Sequence, residues 1–223
     1  MAQLLLVRHG QASWGADDYD VLSETGWEQG RVLGRALAAR GVAPTYAVRG
    51  TLRRHRETAD AVGEGLLLPE VVVDAGWDEF DQDSLFGQVP VPWEGREPER
   101  GEFQVWFESV TERWTSGRAD ADYTETFTAF VERVTSALRR TADAAGSGTA
   151  IVLTSGGTIS VVTAGLLGAE LDDLGRGALW RRLNPVCANS GVTKVVVGGR
   201  GMTLVSFNEH THLEQRPELL TYR

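Results

Sequence analysis

Side chains suited to phosphoryl chemistry occur at several separate points of this 223-residue chain. Arg8 and His9 directly follow a short apolar run, Arg54 lies in a second arginine-rich stretch, and Glu79 lies among other acids. Guanidinium groups bind phosphate oxygens in pairs, and a neutral imidazole is a good nucleophile toward phosphorus. A glutamate with a raised pKa protonates a leaving alcohol. These residue types predict phosphoryl transfer on His9 without a metal ion or a cofactor.

A glycine pair adds a backbone site for an anion. Ser155, Gly156 and Gly157 follow the strand-like run Ala150–Thr154 and precede a helical stretch, Thr158–Leu167. The N-terminus of a helix presents N–H donors and the positive end of its dipole. Taken alone, the glycines need only form a tight turn, and single surface arginines most often form ion pairs. The prediction therefore depends on whether these groups meet at one place in the fold.

The strands that must bring them together are visible as short apolar runs. Four such runs predict strands, at residues 4–7, 45–49, 71–74 and 150–154. Two more, Lys194–Val197 and Met202–Phe207, are joined by Gly198-Gly199-Arg200-Gly201 and predict a terminal hairpin. Chemistry-bearing residues follow most of these runs, and ligands of open α/β sheets bind beyond the carboxyl ends of strands.

Helical patterns separate the predicted strands. A capping box that starts at Thr25 predicts a helix ending near Gly41, and Thr51 is the predicted cap of a second helix. Apolar residues at helical spacing predict another helix over residues 123–145. This alternation predicts an α/β fold of three layers, in which a mostly parallel sheet carries helices on both faces.

Residues 80–122 depart from this pattern. The segment contains three prolines, three tryptophans and only weak periodicity (Trp93, Trp106 and Trp114 are the tryptophans). We predict one domain over residues 1–223, with this segment as a small cap above the sheet. Its aromatic side chains either line a pocket or pack in the core, and core packing is the commoner role of tryptophan.

Composition limits the partners and the compartment. The chain has 22 basic and 31 acidic residues, and this net charge of −9 disfavours nucleic acid and anionic membranes. Its first apolar run is too short for a signal peptide, and no stretch is long enough for a membrane helix. The single cysteine, Cys187, excludes an intrachain disulfide. We expect a cytoplasmic protein that binds a small phosphorylated metabolite; homodimer formation stays open.

Ordered motifs along the chain resemble those of the histidine phosphatase superfamily, which has a phosphoglycerate-mutase-like fold. Leu5–Gly10 resembles the signature of that family. Further resemblances follow in order at residues 22–26, 52–59, 77–81, 189–193 and 208–213. The resemblance implies that His9 attacks the phosphoryl group and holds it covalently while Arg8 and Arg54 bind its oxygens. It also implies that Glu79 protonates the leaving alcohol and then activates water, and that residues 80–122 form the variable insertion that selects the substrate.

The chain departs from the family pattern after the fourth strand, where Ser155 replaces the usual second histidine. A hydroxyl can hydrogen-bond phosphate but brings no positive charge. The loss of one charge-assisted contact should cost about 1.5–3 kcal/mol, a factor of about ten to a few hundred in rate. Ala12 and Gly15 likewise stand where the family has a threonine and an asparagine that contact phosphate.

Two histidines near the C-terminus are candidates to replace that cation. His212, or else His210, would supply the missing positive charge if the C-terminal segment folds over this edge of the sheet. Packing or hydrogen bonding near the C-terminus is the commoner role for such histidines. On a strand the two rings would share a face, as metal ligands do, but the sequence suggests no third ligand. We therefore predict no metal site and include Ser155, Gly156 and His212 among the phosphate-binding residues.

Three alternatives remain. In a serine hydrolase, Ser155 would act with a downstream acid and histidine (Asp172 or Asp173, and His210 or His212), but Leu153 replaces the glycine of the nucleophile elbow. A non-catalytic relative would bind phosphorylated ligands or protein partners, and it would need neither His9 nor Glu79. A phosphoglycerate mutase is the third, although residues 15–20 and 78–82 lack the motifs of that branch. A phosphatase acting on a small phosphomonoester is the interpretation that uses every group.

Overall fold

The computed structural model describes residues 1–13, 20–93, 96 and 99–222, which form a six-stranded sheet covered by helices. The strands are β1 (Ala2–Arg8), β2 (Tyr46–Arg49), β3 (Val71–Val73), β4 (Thr149–Thr154), β5 (Val192–Gly198) and β6 (Gly201–Glu209). The α-helices in these ranges are α1 (Glu24–Ala39), α2 (Arg53–Gly63), α3 (Gln82–Phe86), α4 (Arg100–Thr115), α5 (Phe127–Ala145), α6 (Gly156–Leu167) and α7 (Asp173–Leu183). This arrangement confirms the predicted α/β class.

The order of strands across the sheet is β3-β2-β4-β1-β5-β6. The first four are parallel, β5 runs antiparallel to β1, and β6 pairs with β5 as the predicted hairpin. Arg8 at the end of β1 is the register partner of Thr154 at the end of β4. His9 and Ser155, which come next in the chain, therefore leave adjacent strands at the same edge of the sheet.

Both faces of the central strands are buried, which explains why β1 is apolar at every position from Leu4 to Val7. Leu5 and Val7 pack beneath α1 and α2 together with Ile151 of β4. Leu4 and Leu6 face the opposite layer, which contains α5 and α6. The sheet is thus a rigid base for the loops at its edge.

Two helix starts differ from the prediction. Ser23, not Thr25, caps α1, because its extended backbone lets its Oγ accept a hydrogen bond from the N–H of Gly26. Thr51 does not cap α2. Its hydroxyl donates to Asp78 Oδ2 at 2.6 Å, and the carboxylate of Asp20 accepts the hydrogen bond from the Arg53 N–H at 2.7 Å.

The described part of residues 80–122 folds onto the α5–α7 side of the sheet. Its main helix, α4, packs against α5 and α7. Trp114 is buried among the rings of Phe80, Phe127, Phe130 and Trp180, so it serves the core. Trp93 is only partly buried. The division of the chain into one domain and a cap stays a prediction.

Across the described ranges, no helix combines the length and the apolar character that crossing a membrane requires.

Candidate active site

His9 is fixed at the end of β1 by backbone contacts. Its N–H donates to Thr154 O at 2.8 Å, and its Nδ1 lies 2.7 Å from the carbonyl oxygen of Gly10. The carbonyl can only accept, so Nδ1 carries the proton and the lone pair resides on Nε2. Burial lowers the pKa of His9 well below its usual value, and the charges of Arg54 and Arg8 lower it further. The ring is therefore neutral near neutral pH, the form in which an imidazole can act as a nucleophile.

A close backbone contact holds the loop after β1. A Cβ added at Gly10 would lie 2.4 Å from the carbonyl oxygen of Gly26 in the first turn of α1. No side chain fits there without moving the backbone. In this way α1 fixes the peptide whose carbonyl group orients the imidazole of His9.

Two arginines act on His9 from different elements. Arg8, the last residue of β1, donates through Nη1 to the carbonyl oxygens of Cys187 and Tyr222. Arg54 lies in the first turn of α2, is 7% exposed, and donates through Nη1 to Asp20 Oδ1 at 2.7 Å. Both guanidinium charges lower the pKa of His9, so both lie within electrostatic range of its ring. Sequence reasoning did not identify Asp20 as the residue that positions Arg54.

Glu79 approaches from the loop after β3. Its Oε2 accepts a hydrogen bond from the N–H of Gly157, in the first turn of α6, at 3.0 Å. A Cβ at Gly157 would lie 2.3 Å from Glu79 Oε1, so glycine is needed for this approach. Burial raises the pKa of Glu79 more than the Gly157 N–H and the charge of Arg54 lower it. The carboxyl group thus stays protonated to a higher pH than usual and suits a general acid.

Ser155 has a partner that the sequence did not reveal. His55, the neighbour of Arg54 in α2, places its Nε2 2.7 Å from Ser155 Oγ, and both side chains are fully buried. The ring centroids of His55 and His9 are 5.9 Å apart. The histidine beside the predicted catalytic arginine was the available sequence signal. Nothing in the sequence pairs residue 55 with residue 155.

The two C-terminal histidines each have a hydrogen-bond partner of their own. His212 places its Nε2 3.0 Å from Ser190 Oγ, and burial lowers its pKa to about 4, so it is neutral. His210 Nδ1 lies 2.7 Å from Asn208 O. A neutral ring does not supply the positive charge expected of His212, and its role as a phosphate ligand stays a prediction. The imidazole that packs against His9 is that of His55.

The serine-hydrolase alternative loses its predicted partners. Asp172 caps α7 by accepting from the Gly175 N–H, and Asp173 pairs with Arg176. These contacts hold both acids on α7, and Ser155 pairs with His55 instead.

The structure describes one of the two positions where the family has a threonine and an asparagine. Ala12 is buried and pairs with Leu22 in an isolated bridge, whereas Gly15 lies outside the described residues. In the part of the chain that the structure describes, no group of three or more histidine, cysteine, aspartate or glutamate side chains is arranged to hold a metal ion.

A cavity of about 400 Å³ extends from the side chains of Arg8 and Glu79 into the 80–122 segment. Arg8, Glu79 and Gly156 line one end of it. Aromatic side chains of α3 and α4 line much of the rest, among them Phe86 and Trp106. The site therefore joins a charged end, suited to a phosphoryl group, to a largely apolar space beside it.

Curated proteins match this chain over part of their length. The 2,3-bisphosphoglycerate-dependent phosphoglycerate mutase of Maricaulis maris (strain MCS10) is 38% identical over 84 residues, 34% of this chain and 34% of that protein. The enzyme of the same name from Chelativorans sp. (strain BNC1) is 35% identical over 92 residues, 38% of this chain and 45% of that protein. The match thus spans between a third and a half of these relatives.

Solved structures match over nearly the whole chain. Phosphoserine phosphatase from Entamoeba histolytica has a TM-score of 0.68 at 21% identity, covering 96% of this chain and 100% of that one. Bacillus stearothermophilus YhfR gives 0.68 at 23% identity, with the same coverage. A mycobacterial glucosyl-3-phosphoglycerate phosphatase gives 0.64 at 20% identity, covering 94% of this chain and 99% of that one. At identities this low, the structural similarity establishes a shared fold and nothing more.

The model of the histidine phosphatase superfamily (branch 1) matches residues 4–210. This match covers β1, the arginine motif in α2, the Glu79 loop and the hairpin, and it confirms the family that the sequence motifs resemble. The chain belongs to the histidine phosphatase superfamily, branch 1.

Proposed function

We propose that this protein is a metal-independent phosphatase that hydrolyses a small phosphomonoester through a phosphohistidine on His9. The observation that carries the proposal is the 2.7 Å contact between His9 Nδ1 and Gly10 O. This contact leaves the Nε2 lone pair available beside two arginines and a carboxyl group with a raised pKa. A binding module needs neither a nucleophile oriented in this way nor an acid.

In the first step, His9 Nε2 attacks phosphorus as the bond from phosphorus to the alcohol oxygen breaks. Glu79 gives its proton to that oxygen, so the alcohol leaves neutral. Arg8 and Arg54 offset the negative charge on the phosphoryl oxygens, and they do so in a buried site where the dielectric constant is low.

In the second step, the Glu79 carboxylate accepts a proton from water. The water oxygen attacks phosphorus, the bond from phosphorus to His9 Nε2 breaks, and inorganic phosphate leaves. Glu79 is then protonated and His9 is again neutral, so the cycle closes without a metal ion.

We further propose that the enzyme works in the cytoplasm on a phosphorylated metabolite rather than on nucleic acid or at a membrane. Its net charge of −9 and its single, buried cysteine, Cys187, support this proposal.

Hydrolysis of p-nitrophenyl phosphate in the presence of EDTA tests the proposal. The wild type should turn over, His9→Ala should lose the activity, and His210→Ala should retain it as the matched histidine control. Turnover that persists in His9→Ala would contradict the proposal. No turnover by the wild type, with phosphate still bound, would instead identify a binding protein.

A further inference from the structure

We propose that the natural substrate is the phosphomonoester of an apolar, uncharged alcohol that carries a ring or a branched hydrocarbon group. This inference deepens the proposed function and rests on it, because it assigns the leaving alcohol to the cavity beside His9.

The side chains of the cavity carry the inference. The part remote from Arg8 is formed by rings that contact one another. The ring centroids of Phe86 and Trp106 are 5.3 Å apart, and those of Trp93 and Trp106 are 5.5 Å apart. Phe103 stacks on Phe107 with a centroid separation of 6.0 Å. Contacts of this kind preserve an apolar surface that a hydrocarbon group can cover.

Among the described residues, the charged side chains of the lining lie at one end of the cavity. Among the described residues that line it, Arg8 and Glu79 are the two with charged side chains, and both belong to the phosphoryl end. Gln82, Gln104 and Asn184 offer neutral polar groups. An alcohol that bears a carboxylate or an ammonium group would lose water here without gaining an opposite charge, and that desolvation is costly. The lining therefore disfavours phosphoserine and 3-phosphoglycerate.

The volume fits this class of alcohol. A cavity of about 150 Å³ accommodates benzene. The cavity described here has about 400 Å³, enough for a phosphoryl group and an alcohol of one or two rings.

Two phosphate esters of primary alcohols test the inference, because a primary alcohol leaves in each case. We expect kcat/KM for 2-phenylethyl phosphate to exceed that for 3-phosphoglycerate by about tenfold or more. Phe103→Ala should lower kcat/KM for 2-phenylethyl phosphate by about tenfold and leave 3-phosphoglycerate little changed. Val105→Ala is the matched control on α4, since Val105 is 69% exposed and does not line this cavity. Gln82→Arg should raise activity on 3-phosphoglycerate, because it adds a cation to the lining.

The outcomes separate this inference from the proposed function. His9-dependent turnover of p-nitrophenyl phosphate, with 3-phosphoglycerate equal to or better than 2-phenylethyl phosphate, would overturn the inference alone. Loss of substrate preference in Val105→Ala but not in Phe103→Ala would also overturn it. Absence of any His9-dependent turnover would overturn the proposed function itself.

A different contact supports a second inference about the phosphoryl end. We propose that His55 is a positioning residue, which donates a hydrogen bond from Nε2 to Ser155 Oγ and so directs the Ser155 hydroxyl proton toward a phosphoryl oxygen.

The surroundings of the pair support this arrangement. Ser155 directly precedes Gly156, which lines the cavity, and the ring of His55 packs against that of His9. Burial lowers the pKa of His55 well below its usual value, and Arg54 and Arg49 lower it further, so the ring is neutral. Asp78 Oδ1 lies 3.9 Å from Nδ1, beyond hydrogen-bond distance. When a phosphoryl dianion is bound, the Ser155 hydroxyl donates its single proton to it. Ser155 Oγ can then only accept from His55, so His55 Nε2 must carry the proton.

A double-mutant cycle tests the pair. His55→Ala and Ser155→Ala should each lower kcat about tenfold by the same factor on both substrates, and the double variant should lose no more than either. His55→Gln retains a neutral N–H donor and should restore most of kcat, with an unchanged pH profile. Folding is checked by thermal unfolding of each variant. Additive losses in folded variants, or a folded His55→Gln as slow as His55→Ala, would overturn this role.

Discussion

The two ends of the active-site cavity are built in opposite ways. At the phosphoryl end, Arg8 and His9 come from the end of β1, Arg54 from α2 and Glu79 from the loop after β3. All four are held by hydrogen bonds to the backbone or to another side chain. At the other end, the 80–122 segment contributes rings that mainly contact one another. In the proposed function, the first end binds the phosphoryl group that every substrate shares, and the second contacts the alcohol that differs. Substitutions at the first end should therefore lower kcat/KM equally for all substrates. Substitutions at the second end should alter the ratio of kcat/KM values between substrates.

Replacement of Arg54 should have the largest effect after loss of the nucleophile. Arg54→Ala removes a cation that offsets phosphoryl charge, so kcat/KM should fall about 10²–10³-fold on every phosphomonoester. Steady-state kinetics on p-nitrophenyl phosphate, 2-phenylethyl phosphate and 3-phosphoglycerate check this expectation. Arg56→Ala, an exposed arginine two positions farther along α2, is the control and should retain activity. A loss confined to one substrate would show that Arg54 does not act on the phosphoryl group that all three substrates share.

Glu79→Gln should depend on the leaving group. The variant cannot donate a proton, so turnover of 2-phenylethyl phosphate should fall about 10²-fold or more, as expected for loss of a general acid. Turnover of p-nitrophenyl phosphate should fall less, because that phenolate leaves without a proton. The ratio of the two kcat values in the variant and in the wild type measures the effect. Equal losses on both substrates would show that Glu79 does not act as the acid.

The pH dependence of 2-phenylethyl phosphate hydrolysis is a second test of Glu79 as the general acid. Because burial raises the pKa of Glu79, its acid form persists to a higher pH than that of an ordinary carboxyl group. Activity on 2-phenylethyl phosphate should decline as pH rises through that raised pKa. This decline should be absent in Glu79→Gln, and a decline that persists in the variant would belong to another group.

Trp114→Ala should have the smallest effect on chemistry and the largest on stability. Trp114 is 2% exposed and donates from Nε1 to Glu125 O at 2.9 Å. Removal of its ring should lower the free energy of unfolding by about 3–5 kcal/mol. Urea denaturation measures this loss, and kcat/KM of the folded fraction should stay within a few-fold of the wild type. A stable variant with altered substrate preference would place Trp114 in the binding site instead.

Features of the fold that depend on one residue type and its neighbours were predictable from the sequence. Strands buried on both faces are apolar throughout, so β1 and β4 were recognisable, and the residues that follow them were correctly placed at one edge. The capping box predicted at Thr25 was two residues away from the real cap, Ser23. The position of the cap depends on the extended backbone at Ser23, which residue type alone does not determine. Local signals of this kind predict that an element exists more reliably than where it begins.

Pairings between distant residues were not predictable in the same way. His55 reaches Ser155 across 100 positions, because α2 and α6 both begin at the carboxyl edge of the sheet. Asp20 reaches Arg54 across 34 positions. His212 was expected to supply a positive charge to the phosphate, yet burial lowers its pKa to about 4 and leaves the ring neutral. The cavity lining also depends on how α3 and α4 pack, for which the weak periodicity of residues 80–122 gives little guidance.

Rapid-quench trapping of the phosphorylated enzyme tests the central claim most directly. The wild type, mixed with p-nitrophenyl phosphate in EDTA and quenched during turnover, should carry a phosphoryl group that is labile in acid and stable in alkali. Peptide mapping should place it on His9, and His9→Ala should carry none. An acid-stable phosphoryl group on Ser155, or turnover with no phosphoprotein under any quench condition, would contradict the account.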